Sequence, residues 1–403
     1  MENKHKDHFL SLILSLCYLI FIFQDPISSY IALFNYFDEV FALLLLVIST
    51  IQLIVGKQPK SSLKLFVTMV LILVIGISSN FVSKYQVSLS PILIDAFSVI
   101  KIIPIFIVFK DIVEFKVVRK ACNNIALLLY IYIIAAMVGY VLTLAGYSNF
   151  LLGTRYGLPQ YKFIYENPGI FGYILISIFG IIYLSNQNYK KIFLFLICLL
   201  SIVTLKGPQI IFSLGVIFFY LFKKRNIQLK FYHFIILGII IVLISGYQIK
   251  EYLLNDTSAR YLLTKYGFVT ANNTFPFGSG FATYGSEMSR RYYSKLYYIY
   301  GFNKVWGLNL EYSYFINDAY WQMIFAQLGY FGAVICIYLY IKIFKIIKFN
   351  SDSKDKFYIY AVYIAFLVGS IGSAYLTHAT GVFAFIFLGS LSKVTKDRIN
   401  VYE

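Results

Sequence analysis

Long apolar runs, separated by short polar breaks, dominate this chain. A membrane-spanning helix needs about 20 mainly apolar residues, and twelve segments meet or approach that requirement. The candidate spans lie at about 9–23, 37–55, 63–82, 88–109, 121–146, 167–184, 191–205, 208–222, 231–247, 316–341, 357–376 and 379–392. The first span follows Lys4 and Lys6 as a signal peptide would. No small-residue cleavage site comes after it, so an uncleaved span is predicted.

Composition agrees with this pattern. Hydrophobic residues occupy 60% and charged residues 13% of the 403 positions, against roughly 45–50% and 25% in soluble domains. A mean hydropathy of +0.74 leaves too little polar surface for a cytosolic enzyme, a secreted domain or a disordered chain. The predicted fold class is an all-α polytopic integral membrane protein of about twelve transmembrane helices, with residues 1–403 forming one membrane domain.

The distribution of basic residues orients the predicted helices. With the N-terminus in the cytoplasm, most lysines and arginines fall on the cytoplasmic side, as the positive-inside rule requires. The short loops on the other side hold only Lys84, Arg155, Lys162 and Lys206. Both termini are therefore predicted to be cytoplasmic. Most of the net charge of +17 comes from basic residues in the cytoplasmic loops, where membrane topology requires them, so no nucleic-acid partner is expected.

Two of the predicted extracytoplasmic loops are long, one at about 147–166 and a larger one at about 248–314. Long connections in compact proteins are usually functional or disordered. The larger loop has 67 residues, with 17 aromatic side chains and one proline, Pro276. This composition predicts a loop that folds against the membrane surface.

A few ionisable residues lie within the predicted spans, where such groups are functional candidates by default. Asp95 and Lys101 are six residues apart, so they do not share a helix face and cannot form an ion pair within one helix. Lys101 is expected to snorkel toward the cytoplasmic side, or each residue to find a partner on another helix. Asp38 and Glu39 open the second span, where the helix dipole favours acids. A structural role is predicted for these four residues.

Basic residues outside the membrane are stronger candidates for chemistry. Arg155 lies in the smaller loop, and Lys206 lies in the turn between the seventh and eighth spans. Arg260, Arg290 and Arg291 lie in the larger loop. The planar donor fork of arginine suits phosphate and carboxylate groups, so residues of this kind from different loops are predicted to clamp a pyrophosphate. Positive charge that is solvated or in contact with the headgroups of membrane lipids is the alternative, and it is favoured for Arg290, Arg291 and Lys295.

Other candidates are weaker. Asp318 opens the tenth span and is the candidate general base, with a helix cap as the equal alternative. His378 is expected at the surface of a turn. The glycines of Gly278-Ser279-Gly280 follow no strand–helix unit and are interpreted as a turn. The four cysteines lie in apolar runs and are interpreted as packing residues. Because no metal-ligand spacing or nucleotide-binding motif is present, no metal and no cofactor are predicted.

The predicted polar chemistry faces away from the cytoplasm, where nucleotide-activated sugars and ATP are made and kept. A transferase on that side needs a donor that is already activated, and a polyprenyl (undecaprenyl) pyrophosphate-linked oligosaccharide meets this need. Its leaving group develops negative charge that preplaced arginines would stabilise without a metal. The hydroxyl of the acceptor sugar then needs a base within hydrogen-bond reach.

Four segments carry a resemblance to a known family. They are Phe37–Leu44, Asn167–Gly172, Arg260 followed by Phe275–Tyr284, and Asn317–Gln322 continuing to Leu328–Gly332. In type and order they resemble the O-antigen polymerase (Wzy-type) proteins, within the wider group that includes the O-antigen ligases. The resemblance covers most of the chain in layout. It implies a glycosyltransferase that joins lipid-linked repeat units on the outer face of the bacterial cytoplasmic (inner) membrane, in O-antigen or capsule synthesis.

The resemblance also suggests roles for single residues and for partners. Asp318 and Arg260 are the expected catalytic residues. The expected pyrophosphate- and saccharide-binding residues are Arg155, Arg260, Lys206, Arg290, Arg291, Asn317 and Tyr320. A chain-length regulator and a flippase are the candidate protein partners.

Two departures from the family pattern keep alternatives open. Asn317-Asp318 stands where the ligases commonly have His-Asn, so the family's histidine base is missing. Leu205-Lys206-Gly207 stands where the family has a Ser-Arg turn. A ligase that transfers finished glycan to lipid A core is the second hypothesis. A flippase or other transporter is the third, because the long loop and the lack of a visible internal repeat do not favour it.

Overall fold

The structure is a computed structural model that describes residues 2–56, 58–155, 157–224, 254–318, 320–350 and 356–393, with a few positions between 232 and 250. Apart from those positions, the predicted span at 231–247 and the start of the 248–314 loop, up to residue 253, lie outside the described residues. The hypothesis of a ninth span is therefore untested.

Helices make up most of the described chain. In order they are α1 (Glu2–Ser28), α2 (Phe37–Ile54), α3 (Lys60–Ser83), α4 (Leu89–Ile100), α5 (Ile102–Asp111), α6 (Phe115–Leu144), α7 (Pro168–Leu184), α8 (Lys190–Val203), α9 (Gly207–Lys224), α10 (Ala259–Asn273), α11 (Glu287–Arg291), α12 (Lys295–Ile299), α13 (Tyr320–Asn350), α14 (Lys356–Gly369) and α15 (Ala379–Leu391). Two short strands that were not predicted, β1 (Leu151–Arg155) and β2 (Leu158–Tyr161), form an antiparallel hairpin. Each predicted apolar segment within the described residues coincides with a helix or with the pair α4 and α5.

Within the described residues, five helices are long and apolar enough to cross a membrane: α1, α2, α3, α6 and α13. The pair α4 and α5 adds a sixth if it forms one bent span. Helices α7, α9, α14 and α15 are apolar but shorter. The protein is therefore a helical, multi-pass membrane protein. The count of about twelve spans is not confirmed and stays a prediction.

Helices α2 and α15 show two different relations to the surroundings. On α2, large apolar side chains with helical spacing are exposed, and these are Val40, Leu43, Leu44, Val47 and Ile51. Such a stripe is stable against lipid but not against water. Every residue of α15, by contrast, is buried, and this helix packs against α5 and α7. The core of the bundle therefore lies around α15, and α2 lies toward the lipid.

The pair α4 and α5 is bent by 40° at Lys101. Pro104, two residues into α5, explains the break. Proline has no backbone N–H to donate to the carbonyl of Ile100, and its ring clashes with that carbonyl. The bend brings Lys101 into the protein interior, where 1% of the residue is exposed.

The described part of the large loop is folded, as its composition predicted. Helices α10, α12 and α13, with the loop segments between them, contribute to a second hydrophobic core that is separate from the core of the helix bundle. Its buried members are Leu263, Tyr284, Tyr293, Leu296, Tyr297, Phe302, Leu308, Ile316 and Ala326. Aromatic side chains therefore stabilise the loop itself.

The loop also enters the helix bundle through residues 277–283, here named the docked turn. On one side it meets α13, where the N–H of Ser279 donates to the carbonyl of Ala326 (2.9 Å) and that of Gly280 to Gln327 (2.8 Å). Helix α13 is interrupted two residues later at Gly329, which has φ 63°. The interruption lets the N–H of Phe331 reach the carbonyl of Pro276 at 3.2 Å.

On its other side the docked turn meets α3 and α4. The side chain of Asn80 donates to the carbonyl of Phe281 and accepts from its N–H, both at 2.8 Å. The carboxylate of Asp95 accepts from the N–H of Ala282 (2.5 Å) and from the side chain of Gln327 (2.9 Å). The glycine turn seen in the sequence is thus confirmed, and the segments of the family resemblance that contain Gly278 and Gly329 contact each other.

Candidate functional site

The hairpin of the smaller loop carries Arg155 toward the turn between α8 and α9. Tyr161 on β2 is fully buried, and its hydroxyl donates to the carbonyl of Ala136 on α6 at 2.7 Å, which holds the hairpin against the bundle. Arg155 ends β1, and its Nη1 donates to the carbonyl of Leu205 at 3.1 Å. Leu205 precedes Lys206, so these two basic residues from separate loops become neighbours.

Arg260 approaches the same region from the large loop. It lies in the first turn of α10, whose start is capped by the Ser258 hydroxyl accepting from the N–H of Tyr261 at 3.1 Å. The Arg260 guanidinium donates to Oδ2 of Asp318 through Nη2 (2.7 Å) and Nε (3.2 Å). It also lies 4.4 Å from the ring centroid of Phe315. A carboxylate and an aromatic face therefore fix its orientation.

Arg155, Lys206, Arg260 and Asp318 form one electrostatic group, here named the basic cluster. Burial lowers the pKa of Lys206 to about 8, and the positive charges of Arg155 and Arg260 add to this effect while Asp318 opposes it. Burial raises the pKa of Asp318 above its ordinary value, and Arg260 and Lys206 oppose that shift. The three basic residues and one acid have a formal charge of +2, which suits an anion.

The acid Glu287 organises a second group in the large loop. Its carboxylate accepts from Arg290 (2.6 and 2.9 Å), from Arg291 (2.8 Å) and from the side-chain amide of Asn317 (2.5 Å). Burial alone would raise the pKa of Glu287, but the hydrogen bonds from the two arginines outweigh it and hold the pKa below its ordinary value. Arg290 and Arg291 therefore share a carboxylate within the loop, and their contact with lipid headgroups stays a prediction.

The hydroxyl of Tyr320 is engaged by another tyrosine. Tyr320 begins α13, 1% of the residue is exposed, and its hydroxyl is hydrogen-bonded to that of Tyr340 at 2.7 Å. Its predicted contact with saccharide gains no support from this position, so the proposal below gives it no role.

A cavity of about 460 Å³ lies between the Glu287 group and the helix bundle. This volume is within the range of about 300–1,000 Å³ typical of small-molecule sites. Its acidic, basic and histidine lining residues are Asp25, Asp38, Glu39, Asp95, Lys101, Glu166, Glu287, Arg290, Arg291, Asp318 and His378. Asp318 connects the cavity to the basic cluster through its contact with Arg260.

The bundle side of the cavity holds an ion group that sequence reasoning missed. Lys101 donates to the carboxylates of both Asp38 and Glu39, with 2.9 Å between its Nζ and Oε1 of Glu39. The expectation that Lys101 snorkels toward the cytoplasmic side is wrong, and so is the idea that the helix dipole alone explains the two acids. A lysine in the middle of an apolar run needs an acidic partner, and that signal could have found this group. The alternative prediction, a partner on another helix, is confirmed for Asp95 as well.

Two other sequence candidates contribute to this region. His378, expected at the surface of a turn, has an exposed side chain that lines the cavity. Asn167 caps α7, because its side chain accepts from the N–H of Ile170 at 3.0 Å. Within the described ranges, no group of three or more His, Cys, Asp and Glu residues is arranged to hold a metal ion.

Comparisons with known proteins add no further information about this site. No family model, no curated protein and no solved structure matches the chain. The geometry of the basic cluster and of the cavity therefore carries the functional argument alone.

Proposed function

We propose that the protein is a membrane polysaccharide polymerase of the O-antigen polymerase type. It joins polyprenyl pyrophosphate-linked oligosaccharide repeat units on the outer face of the bacterial cytoplasmic membrane, with about twelve spans and both termini in the cytoplasm. The observation that carries the proposal is the convergence of Arg155, Lys206 and Arg260, from three separate segments, beside a polar cavity.

The basic cluster suits a pyrophosphate better than a single carboxylate. Two guanidinium groups offer forked donors to several phosphate oxygens, and Lys206 adds a point charge beside them. The negative charge of Asp318 neutralises one of the three positive charges, so a net positive charge remains for the ligand. Donors fixed by Leu205, Asp318 and Phe315 need little rearrangement when charge develops on the leaving group.

In the proposed reaction the growing chain on the lipid pyrophosphate is the donor, and the terminal sugar of a new unit is the acceptor. The acceptor hydroxyl attacks the anomeric carbon, the bond to pyrophosphate breaks, and the basic cluster holds the departing anion. Asp318 was predicted as the base. Because its carboxylate already accepts two hydrogen bonds from Arg260, we assign it to holding that arginine in place.

Alanine substitution of Arg155 and of Arg260 tests this proposal. Loss of one charge-assisted donor at a transition state costs about 2.7–4 kcal/mol, or roughly 10²–10³ in rate. Cells that depend on either variant should therefore lose long polymer and show lipid A core capped with one repeat unit, while the protein still accumulates in the membrane. Lysine at these positions should restore activity incompletely, because a point charge does not reproduce a forked contact.

The matched control is Lys265→Ala, which removes an exposed basic residue from the same helix as Arg260. It should leave the distribution of chain lengths unchanged. Normal chain lengths in both arginine variants would refute the proposal. Core without any repeat units, with long chains retained on the lipid carrier, would indicate a ligase instead.

A further inference from the structure

The cavity beside the basic cluster presents an excess of hydrogen-bond acceptors. Oε1 of Gln24, Oε2 of Glu39 and Oδ1 of Asn317 are buried atoms of cavity-lining residues, and none has a donor among the described residues. Gln24 itself is only 6% exposed, and its amide nitrogen donates to Asp38 at 2.9 Å. Buried acceptors of this kind need a donor from solvent or from a ligand.

This inventory identifies the class of ligand. Phosphate oxygens are acceptors and carry negative charge, so they suit neither the three acceptor atoms nor the carboxylates of Asp38 and Glu39. Sugar hydroxyls donate hydrogen bonds and carry no charge. The Asn317 oxygen comes from the loop side and the Gln24 and Glu39 oxygens come from the helix bundle. A polyhydroxylated ring between the two sides would meet acceptors on both.

Glu39 differs from its neighbour Asp38 in one respect that matters for chemistry. Asp38 is almost completely buried, and both of its oxygens are engaged, one by Gln24 and the other by Lys101. The Glu39 side chain is 29% exposed, and Lys101 engages only its Oε1. Oε2 of Glu39 is thus a carboxylate oxygen of a cavity-lining residue, has no donor among the described residues, and can take up a proton.

We infer that the cavity binds the acceptor sugar and that Glu39 is the general base of the proposed transfer. The inference rests on the proposed function and adds the acceptor site and the base to it. As the acceptor oxygen bonds to the anomeric carbon, its proton passes to Oε2 of Glu39, and the electron pair of the breaking bond leaves with the pyrophosphate. Water then receives the proton from Glu39. Lys101 and Asp38 are positioning residues that hold Glu39 through one ion group.

The test uses the full-length protein in lipid nanodiscs, with a polyprenyl pyrophosphate-linked repeat unit as substrate. Glu39→Gln should lower the rate of polymer formation by about 10²–10⁴-fold, the usual contribution of a general base. It should leave unchanged both the Kd for polyprenyl pyrophosphate, used alone as a binding probe, and the unfolding temperature. Glu39→Asp keeps the charge but withdraws the oxygen by one methylene, and the same selective loss of rate is expected if the Gln variant does not accumulate.

Two controls make the result specific. Glu311→Gln makes the same chemical change at an exposed residue of the large loop outside the cavity, and should keep the wild-type rate. His378→Gln tests another titratable residue that is exposed and lines the cavity. A wild-type rate in Glu39→Gln, or a comparable loss confined to His378→Gln, would overturn the assignment of the base.

The Arg260→Ala variant separates this inference from the proposed function. It should lose both polymer formation and affinity for polyprenyl pyrophosphate. If it does so while Glu39→Gln stays fully active, the polymerase proposal stands and only the assignment of Glu39 fails. If Arg260→Ala keeps both properties, the proposed function itself fails.

Discussion

Asp95 and Glu39 are both carboxylates on apolar helices, and both line the same cavity, yet their surroundings differ. Asp95 is 3% exposed, and it accepts from the backbone of the docked turn and from Gln327 on α13. Glu39 is more exposed and keeps one oxygen without a donor among the described residues. Hydrogen bonds, and not depth in an apolar segment, therefore distinguish the two carboxylates. A carboxylate that several donors hold is structural, whereas one with an oxygen that lacks a donor is a candidate for catalysis.

The same contrast holds for the regions around these residues. The docked turn is held by backbone and side-chain hydrogen bonds from α3, α4 and α13, so changes there should affect folding. The cavity and the basic cluster contain more charged groups than their own ion pairs neutralise. Changes there should therefore affect activity while the free energy of unfolding stays constant. Three variants, from the largest expected effect to the smallest, test this division.

Gly278→Ala should give the largest loss of stability. Gly278 has φ +84°, and an added Cβ would lie 2.5 Å from the carbonyl oxygen of Gln327. A left-handed conformation costs an alanine about 1–2 kcal/mol and overpacking costs about 1–3 kcal/mol, so a loss of about 2–5 kcal/mol is expected. Thermal unfolding in detergent and accumulation in the membrane measure it.

The control for this substitution is Gly301→Ala. Gly301 also has a positive φ, +71°, but no atom lies within 4 Å of an added Cβ. It should show the conformational cost alone. Equal destabilisation by the two variants would mean that the contact between the docked turn and α13 contributes nothing.

Asp95→Asn should give a medium effect on stability and no selective effect on catalysis. The hydrogen bonds from Ala282 and Gln327 both end on Oδ2 of Asp95, so an amide oxygen at that position keeps them, while the amide NH2 group replaces the other carboxylate oxygen and becomes a buried donor. One buried hydrogen-bonding group left unsatisfied costs about 1–3 kcal/mol. The unfolding temperature and the polymerisation rate, measured on the same preparation, distinguish a loss of stability from a selective loss of catalysis. A large fall in the polymerisation rate at a normal unfolding temperature would mean that Asp95 acts in catalysis, as is proposed for Glu39. The contrast between the two carboxylates would then fail.

Lys206→Arg should give the smallest effect, visible as a change in pH dependence. Because burial and the neighbouring arginines lower the pKa of Lys206 to about 8, its ammonium loses its proton as the pH rises through that value. Wild-type activity should therefore fall by up to about tenfold between pH 7 and pH 9, while an arginine remains charged throughout. Identical pH profiles for the two proteins would show that this charge takes no part in anion binding.

Much of the secondary structure follows from the apolar pattern. The described predicted spans coincide with helices because a backbone in lipid must satisfy its hydrogen bonds locally. The β1–β2 hairpin escaped prediction, since its strands of five and four residues give too short a pattern. The break at Lys101 had a readable signal in Pro104, but the interruption at Gly329 has none, because it depends on the docked turn that approaches it.

The sequence by itself determined a helical membrane protein, the aromatic character of a folded loop, and the choice of Arg155, Lys206, Arg260 and Asp318 as one candidate site. Residue type and local periodicity are enough for those conclusions. Only the tertiary structure decided that Lys101 meets Asp38 and Glu39, which are more than 60 positions away. The reason is physical: an ion pair in an apolar interior depends on which helix faces meet, and helix packing, not local sequence, sets that geometry.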